Sequence, residues 1–104
     1  MSNITSKEIA DMILAEVEAA TDMDIYMRVF LKNHLKEPTK QTYIDALNET
    51  VTYEFWTVLE EGEDGNRIAY DEKNKSFVLG MVNSDNQLEY IGHHGTFIDT
   101  LKGM

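Results

Sequence analysis

Residues 40 to 61 carry two periodicities at once, and which of them the backbone obeys decides the fold. At 3.6 residues per turn, Tyr43, Ile44, Leu47, Val51, Phe55, Val58 and Leu59 share one broad face, with Glu54 the only charged intruder. At period two, Val51, Tyr53, Phe55, Thr57 and Leu59 alternate, and the β-branched and aromatic content suits a strand. The helical pattern runs unbroken from Tyr43, and no turn signal precedes Gly62, so the sequence favours a helix. On that reading Trp56 lies off the main apolar face and is a candidate contact with a sheet or a partner.

The flanking segments are less ambiguous. Thr5 and Glu8 have the spacing of a capping box, and Ile9, Ala10, Ile13, Leu14, Val17 and Ala20 form the apolar face of the helix it starts. Glu8, Asp11, Glu18 and Asp22 gather on a narrow acidic stripe beside that face. Thr21 and Asp24 repeat the cap spacing for a second helix through Ile25, Tyr26, Val29, Phe30 and Asn33, which should last until Glu37 and Pro38. After the polar, glycine-containing turn at 61–66 the period changes to two, predicting strands over 67–70, 77–82 and 88–91. Thr96 and Asp99 then cap a short terminal helix.

The expected fold is therefore α+β in one domain spanning 1–104: three N-terminal helices, a three-stranded antiparallel meander and a short C-terminal helix, with the helices on one face of the sheet. Its expected core is Ile9, Ile13, Val17, Val29, Phe30, Ile44, Leu47, Val51, Phe55, Val58, Phe77, Leu79, Ile91, Phe97 and Leu101.

Charge bounds the function. With 19 acids against 9 Lys and Arg, a net charge of −10 makes nucleic acid and anionic membrane poor partners. The absence of cysteine removes disulfides and thiolate chemistry, and neither a spanning apolar run nor a signal-like N-terminus is present, so a cytoplasmic location is expected. Acids concentrate in residues 1–24 and 51–72, whereas Arg28, Lys32, Lys36 and Lys40 form a basic interval between them.

No stretch supplies a nucleophile with an oriented base, a calcium loop or a phosphate-binding glycine loop. The nearest thing to a site is Gly92-His93-His94-Gly95, but adjacent histidines on an extended chain point to opposite faces and cannot easily chelate one metal. No enzyme activity, cofactor or metal is expected. The sequence instead suggests an acidic binding protein, of the immunity or DNA-mimic kind, that docks on a basic protein through Glu8, Asp11, Glu18, Asp22, Glu60, Glu61, Glu63 and Asp64. The alternative is a homo-oligomeric structural or small-ligand module, in which Arg28, Lys32, Lys36 and Trp56 contact a second copy.

One segment carries a family likeness. Phe77-Val78-Leu79-Gly80 through Tyr90-Ile91-Gly92-His93-His94-Gly95-Thr96 resembles the staphylococcal type of uracil-DNA glycosylase inhibitor, with a strand, a polar turn and a His-bearing strand end at similar spacing. The resemblance covers about a fifth of the chain and implies an acidic inhibitor with helices first and strands after, without assigning a functional residue.

Overall fold

A computed structural model describes residues 4–20, 23–63 and 65–104. It contains helix α1 (Ser6–Ala19), helix α2 (Ile25–His34), strands β1 (Leu35–Asp45), β2 (Asn48–Glu60), β3 (Asn66–Asp71), β4 (Ser76–Val82) and β5 (Leu88–Gly95), and helix α3 (Phe97–Lys102). The strands close into a barrel in the order β1-β2-β3-β4-β5. The expected third helix and three-stranded meander are thus overturned: residues 40–60 belong to a long β1–β2 hairpin, and the sheet has five strands.

The turn that makes this hairpin carries no glycine or proline. Asp45 accepts the Leu47 amide at 2.8 Å, and Asn48 accepts the Thr50 amide at 3.2 Å, so two Asx-type bonds reverse the chain. Leu47, expected in the core, sits at the tip and is 97 % exposed. Once the chain reverses there, the tyrosines and the β-branched residues on both sides can pair, from Thr39 opposite Thr57 to Ile44 opposite Thr52. Pro38 lies inside β1, at the register shift between Leu35 and Thr39, where a missing N–H costs no ladder bond. The second helix accordingly stops at His34, short of the expected Glu37, and Lys36 belongs to the strand rather than to the helix.

Four hairpins in succession make each strand antiparallel to the next, so the first and fifth strands of an odd-numbered meander must point the same way. Closure is parallel as a result, through Ile44 opposite Glu89 and Asp45 opposite Tyr90. The later turns use the same polar chemistry. Asp71 accepts the amides of Lys73 and Asn74, while Asn83 accepts those of Asp85 and Gln87. Lys75 and Asn86 take the positive φ that each turn requires.

Two apolar layers hold the barrel. Inside it, Tyr43, Phe55, Ala69 and Val78 pack together with Tyr53, Leu88 and Tyr90 at the margin. Outside, Val58, Leu59, Ile68, Tyr70 and Phe77 meet Ile9 and Ile13 of α1, Leu31 of α2, and Phe97 and Leu101 of α3. The cross-strand register explains the partition, since Thr57, Ala69 and Val78 line up on one face and Tyr70 with Phe77 on the other. Val29 and Ile91, expected in the core, are exposed on α2 and β5.

Local signals fix the helix starts. The Thr5–Glu8 capping box is complete, Asp24 caps α2 by accepting the Met27 amide, and Thr96 caps α3 by accepting the Asp99 amide. Thr21, expected as the cap with Asp24 three residues on, lies outside the described residues, and the N-cap of α2 is Asp24 itself. Glu16, although one of the acids of α1, turns inward, and its carboxylate accepts the Phe97 and Ile98 amides at 3.2 Å each. A carboxylate on free helical N–H groups is favourable both as a hydrogen-bond acceptor and as a negative charge at the positive end of the helix dipole. It docks the end of the chain on its beginning.

Candidate functional site

The acidic candidates do not behave as one surface. On α1, Glu8, Asp11 and Glu18 are all exposed. Glu8 also bonds the Thr5 amide and hydroxyl as part of its cap, and Asp11 pairs with Lys7 at 3.2 Å. That pair is solvent-exposed on both sides and contributes little. Asp22 and Asp64 lie outside the described residues. Glu60 is half-buried between two cations, Lys36 at 3.4 Å and Arg67 at 3.8 Å, and so presents no free charge. Glu61 is half-buried and lines a cleft of about 380 Å³ with Asp24, Tyr26, Phe30 and Leu101. Glu63 is exposed, and its carbonyl accepts a bond from the Arg67 guanidinium.

Several cations are also engaged within the fold. Arg67 is buried, with its guanidinium bonded to the carbonyls of Glu63, Gly65 and Asn66. Lys40 lies over the Trp56 ring at 5.3 Å, and the Trp56 indole donates to Glu72 at 3.2 Å. Trp56, offered by the sequence for self-association, is therefore already engaged, as is Lys36. Arg28 and Lys32 are exposed on α2 and make no ion pair among the described residues. Among the same residues Glu18, Glu49, Glu54, Glu63, Asp85 and Asp99 face solvent without a cation partner. A visiting molecule therefore meets unneutralised carboxylates on several faces, outnumbering, among the described residues, the exposed cations without an ion pair at Arg28, Lys32, Lys73 and Lys75.

The histidine pair divides between two neighbourhoods. His93 is opposite Val78 in the β4–β5 ladder and shares the interior face, whereas His94 lies against Gly103 at the end of α3. At the barrel mouth the His93 Nε2 is 3.2 Å from Asp71, and its Nδ1 is hydrogen-bonded to the Tyr90 hydroxyl. Asp71 is buried and also accepts the Asn74 side-chain amide at 2.7 Å. Burial alone would raise its carboxyl, but bonds from Asn74, His93 and the turn amides outweigh this and hold it below the usual carboxylate range. Burial, followed by neighbouring Tyr53, Asp45 and Asp71, pushes the Tyr90 phenol up. With Asp71 ionised, His93 Nε2–H donates to Asp71, and Nδ1 and the Tyr90 hydroxyl share the second bond. Both ring nitrogens are then used internally.

The short sequence span gave no hint of this relay, because Asp71 and His93 meet only through the β3–β4–β5 register. The Asp71-to-Asn74 turn spacing was the one local signal available. Among the described residues no three His, Asp or Glu side chains are grouped so as to hold a metal ion. No described helix is long and apolar enough to cross a membrane.

The relay has a pH signature. Because the folded-state pKa of Asp71 is depressed, its stabilisation is present above the ordinary carboxylate range and is lost as pH falls through that range towards the folded value. Asp71→Asn presents an amide to the Asn74 amide and to His93 Nε2–H, and should cost about 1–3 kcal/mol at neutral pH. In urea titrations the gap between wild type and variant should narrow steadily on acidification to about pH 3. A gap that stays constant with pH would show that the carboxylate charge at this position is immaterial.

Comparison of the chain with family models, with curated proteins and with solved structures gives no match. The described residues form a five-stranded mixed barrel clad by three helices, with an acidic exterior and a bonded Asp-His-Tyr relay at one mouth. The segment that resembles the glycosylase inhibitors forms β4, β5 and the cap of α3.

Proposed function

We propose that this chain is a non-enzymatic acidic binding protein that occupies a basic surface of another protein. The observation that carries the reading is the excess of acid, 19 Asp and Glu against 9 Lys and Arg, together with its placement: Glu18, Glu49, Glu54, Glu63, Asp85 and Asp99 face solvent without a cation among the described residues. Such a surface attracts a cationic partner over a Debye length and speeds encounter, with an affinity that falls as salt rises. The α1 stripe is the most regular part of it, with Asp11 and Glu18 two turns apart on one exposed face. Glu60 drops out of the docking set because it is already paired.

The test uses the tagged chain and its host lysate at low and then high salt, alongside a D11K/E18K variant. A basic protein held by the wild type, released by salt and bound by the variant about tenfold more weakly is the expected result. Both positions are exposed and outside the caps, so melting should hardly change. Equal retention by wild type and variant removes the α1 stripe from the reading.

A further inference from the structure

Helix α2 turns an unusual face to water. Leu31 is buried and Met27, Phe30 and His34 are partly so, but Ile25 is 71 % exposed, Tyr26 83 % and Val29 51 %. At 3.6 residues per turn, Arg28, Lys32, Ile25 and Val29 fall within about 100° of arc, so apolar and basic side chains are mixed in a single outward stripe. A contiguous apolar and basic strip is the exception on a chain of net charge −10.

The same molecule carries the complement. On α1, Lys7, Asp11, Leu14 and Glu18 fall within about 60° of arc, and Leu14 is 53 % exposed between the two acids. Ile25 to Lys32 and Asp11 to Glu18 each span seven residues, about 10.5 Å of helix. Laid across each other, the stripes set Leu14 against Ile25 and Val29, with Arg28 and Lys32 in reach of Asp11 and Glu18. Each stripe faces away from its own barrel, so the match is made by another molecule.

We propose that the chain forms a symmetric homodimer in which α2 of each copy seats on α1 of the other. A two-fold axis makes the contact twice, α2 on the partner's α1 and the reverse, which brings the buried area towards the roughly 1,200 Å² of a stable interface. The dimer stands on this complementarity alone. Its consequence for function rests on the partner-docking reading: the dimer covers the α1 stripe, so self-association and partner binding exclude each other.

Two copies of the same sign repel at long range, so the measurement is made near 0.15 M salt, where the Debye length of about 8 Å screens the whole-molecule repulsion but not the contact. Sedimentation equilibrium of the full chain from about 1 to about 200 µM should show the mass rising to twice the monomer's. I25S/V29S should remain monomeric with an unchanged melting temperature, because both side chains are exposed in the monomer. R28E/K32E and D11K/E18K should each be monomeric alone and form a dimer when mixed, since mixing makes both helix contacts opposite in charge. A wild type that stays monomeric throughout, variants that still dimerise, or a mixture that does not associate each overturns the proposal. R28E/K32E keeps α1 intact and still captures the basic partner if the docking reading holds, so the two ideas fail separately.

Discussion

Gly80→Ala should destabilise the barrel by about 3 kcal/mol or more, the upper end of what overpacking costs. A Cβ at this position would stand 2.8 Å from Tyr43 Cε2 and 2.9 Å from the Glu89 carbonyl oxygen. Neither neighbour can yield cheaply. Glu89 is backbone of the adjacent strand, beside the register shift between Leu79 and Gly80. Tyr43 is fully buried, its ring against Phe55 at 5.5 Å and its hydroxyl 2.6 Å from the Thr57 hydroxyl, and burial pushes the phenol up to about 12. Equilibrium denaturation should show a lower midpoint with little change in slope. Replacing Tyr43 by Leu in the same chain should recover part of the loss, a non-additivity expected only if the ring is the obstacle. A loss below about 1 kcal/mol, or strict additivity, would mean that the strands separate to admit the methyl group.

Arg67→Met should cost about 2–4 kcal/mol, because it removes a buried cation whose bonds are all to groups that stay behind. The guanidinium donates to Glu63 at 3.0 Å, Gly65 at 3.1 Å and Asn66 at 3.2 Å, and its Nε lies 3.8 Å from Glu60. These are the carbonyls of the β2–β3 turn, so the loss should be local as well as global. The Glu61 amide, which donates to Asn66 at 3.0 Å, should lose protection from hydrogen exchange first. Arg67→Lys keeps the charge but not the planar fork, and should restore less than about half of the stability. Full recovery by lysine would show that only the charge matters.

The sequence was most legible where chemistry is local. Capping residues at Thr5 and Thr96 are read within four positions, and α1 and α3 begin where those residues stand. The β1–β2 hairpin was illegible for a definite reason. Its turn is made by Asp45 and Asn48 side chains rather than by glycine, and its apolar residues fit a helical wheel by coincidence of spacing. Tertiary pairing then favoured the strand, which gives Thr57, Phe55 and Tyr43 a barrel interior that an isolated helix could not offer. The acidic stripe of α1 was visible because it follows the helix period. The neutralisation of Glu60 was not, because Lys36 and Arg67 reach it from other strands. The Asp71-His93 contact likewise exists only after three strands are in register.

Parallel closure leaves a seam. Among the described residues β1 pairs with β5 only at Ile44 and Asp45, so most of β1, from Leu35 to Tyr43, lacks a strand partner on its far side from β2. A run of open backbone is an invitation for a strand from another chain, and this run is guarded in three ways. Pro38 interrupts its donors, Lys36 and Lys40 place charge along it, and α1 lies against it with the Ser6 hydroxyl donating to the Pro38 carbonyl at 2.9 Å. The helix that displays the acidic stripe is thus also the lid on the seam. A partner that pulled α1 away would therefore uncover an open strand edge, the kind of template on which other chains pair.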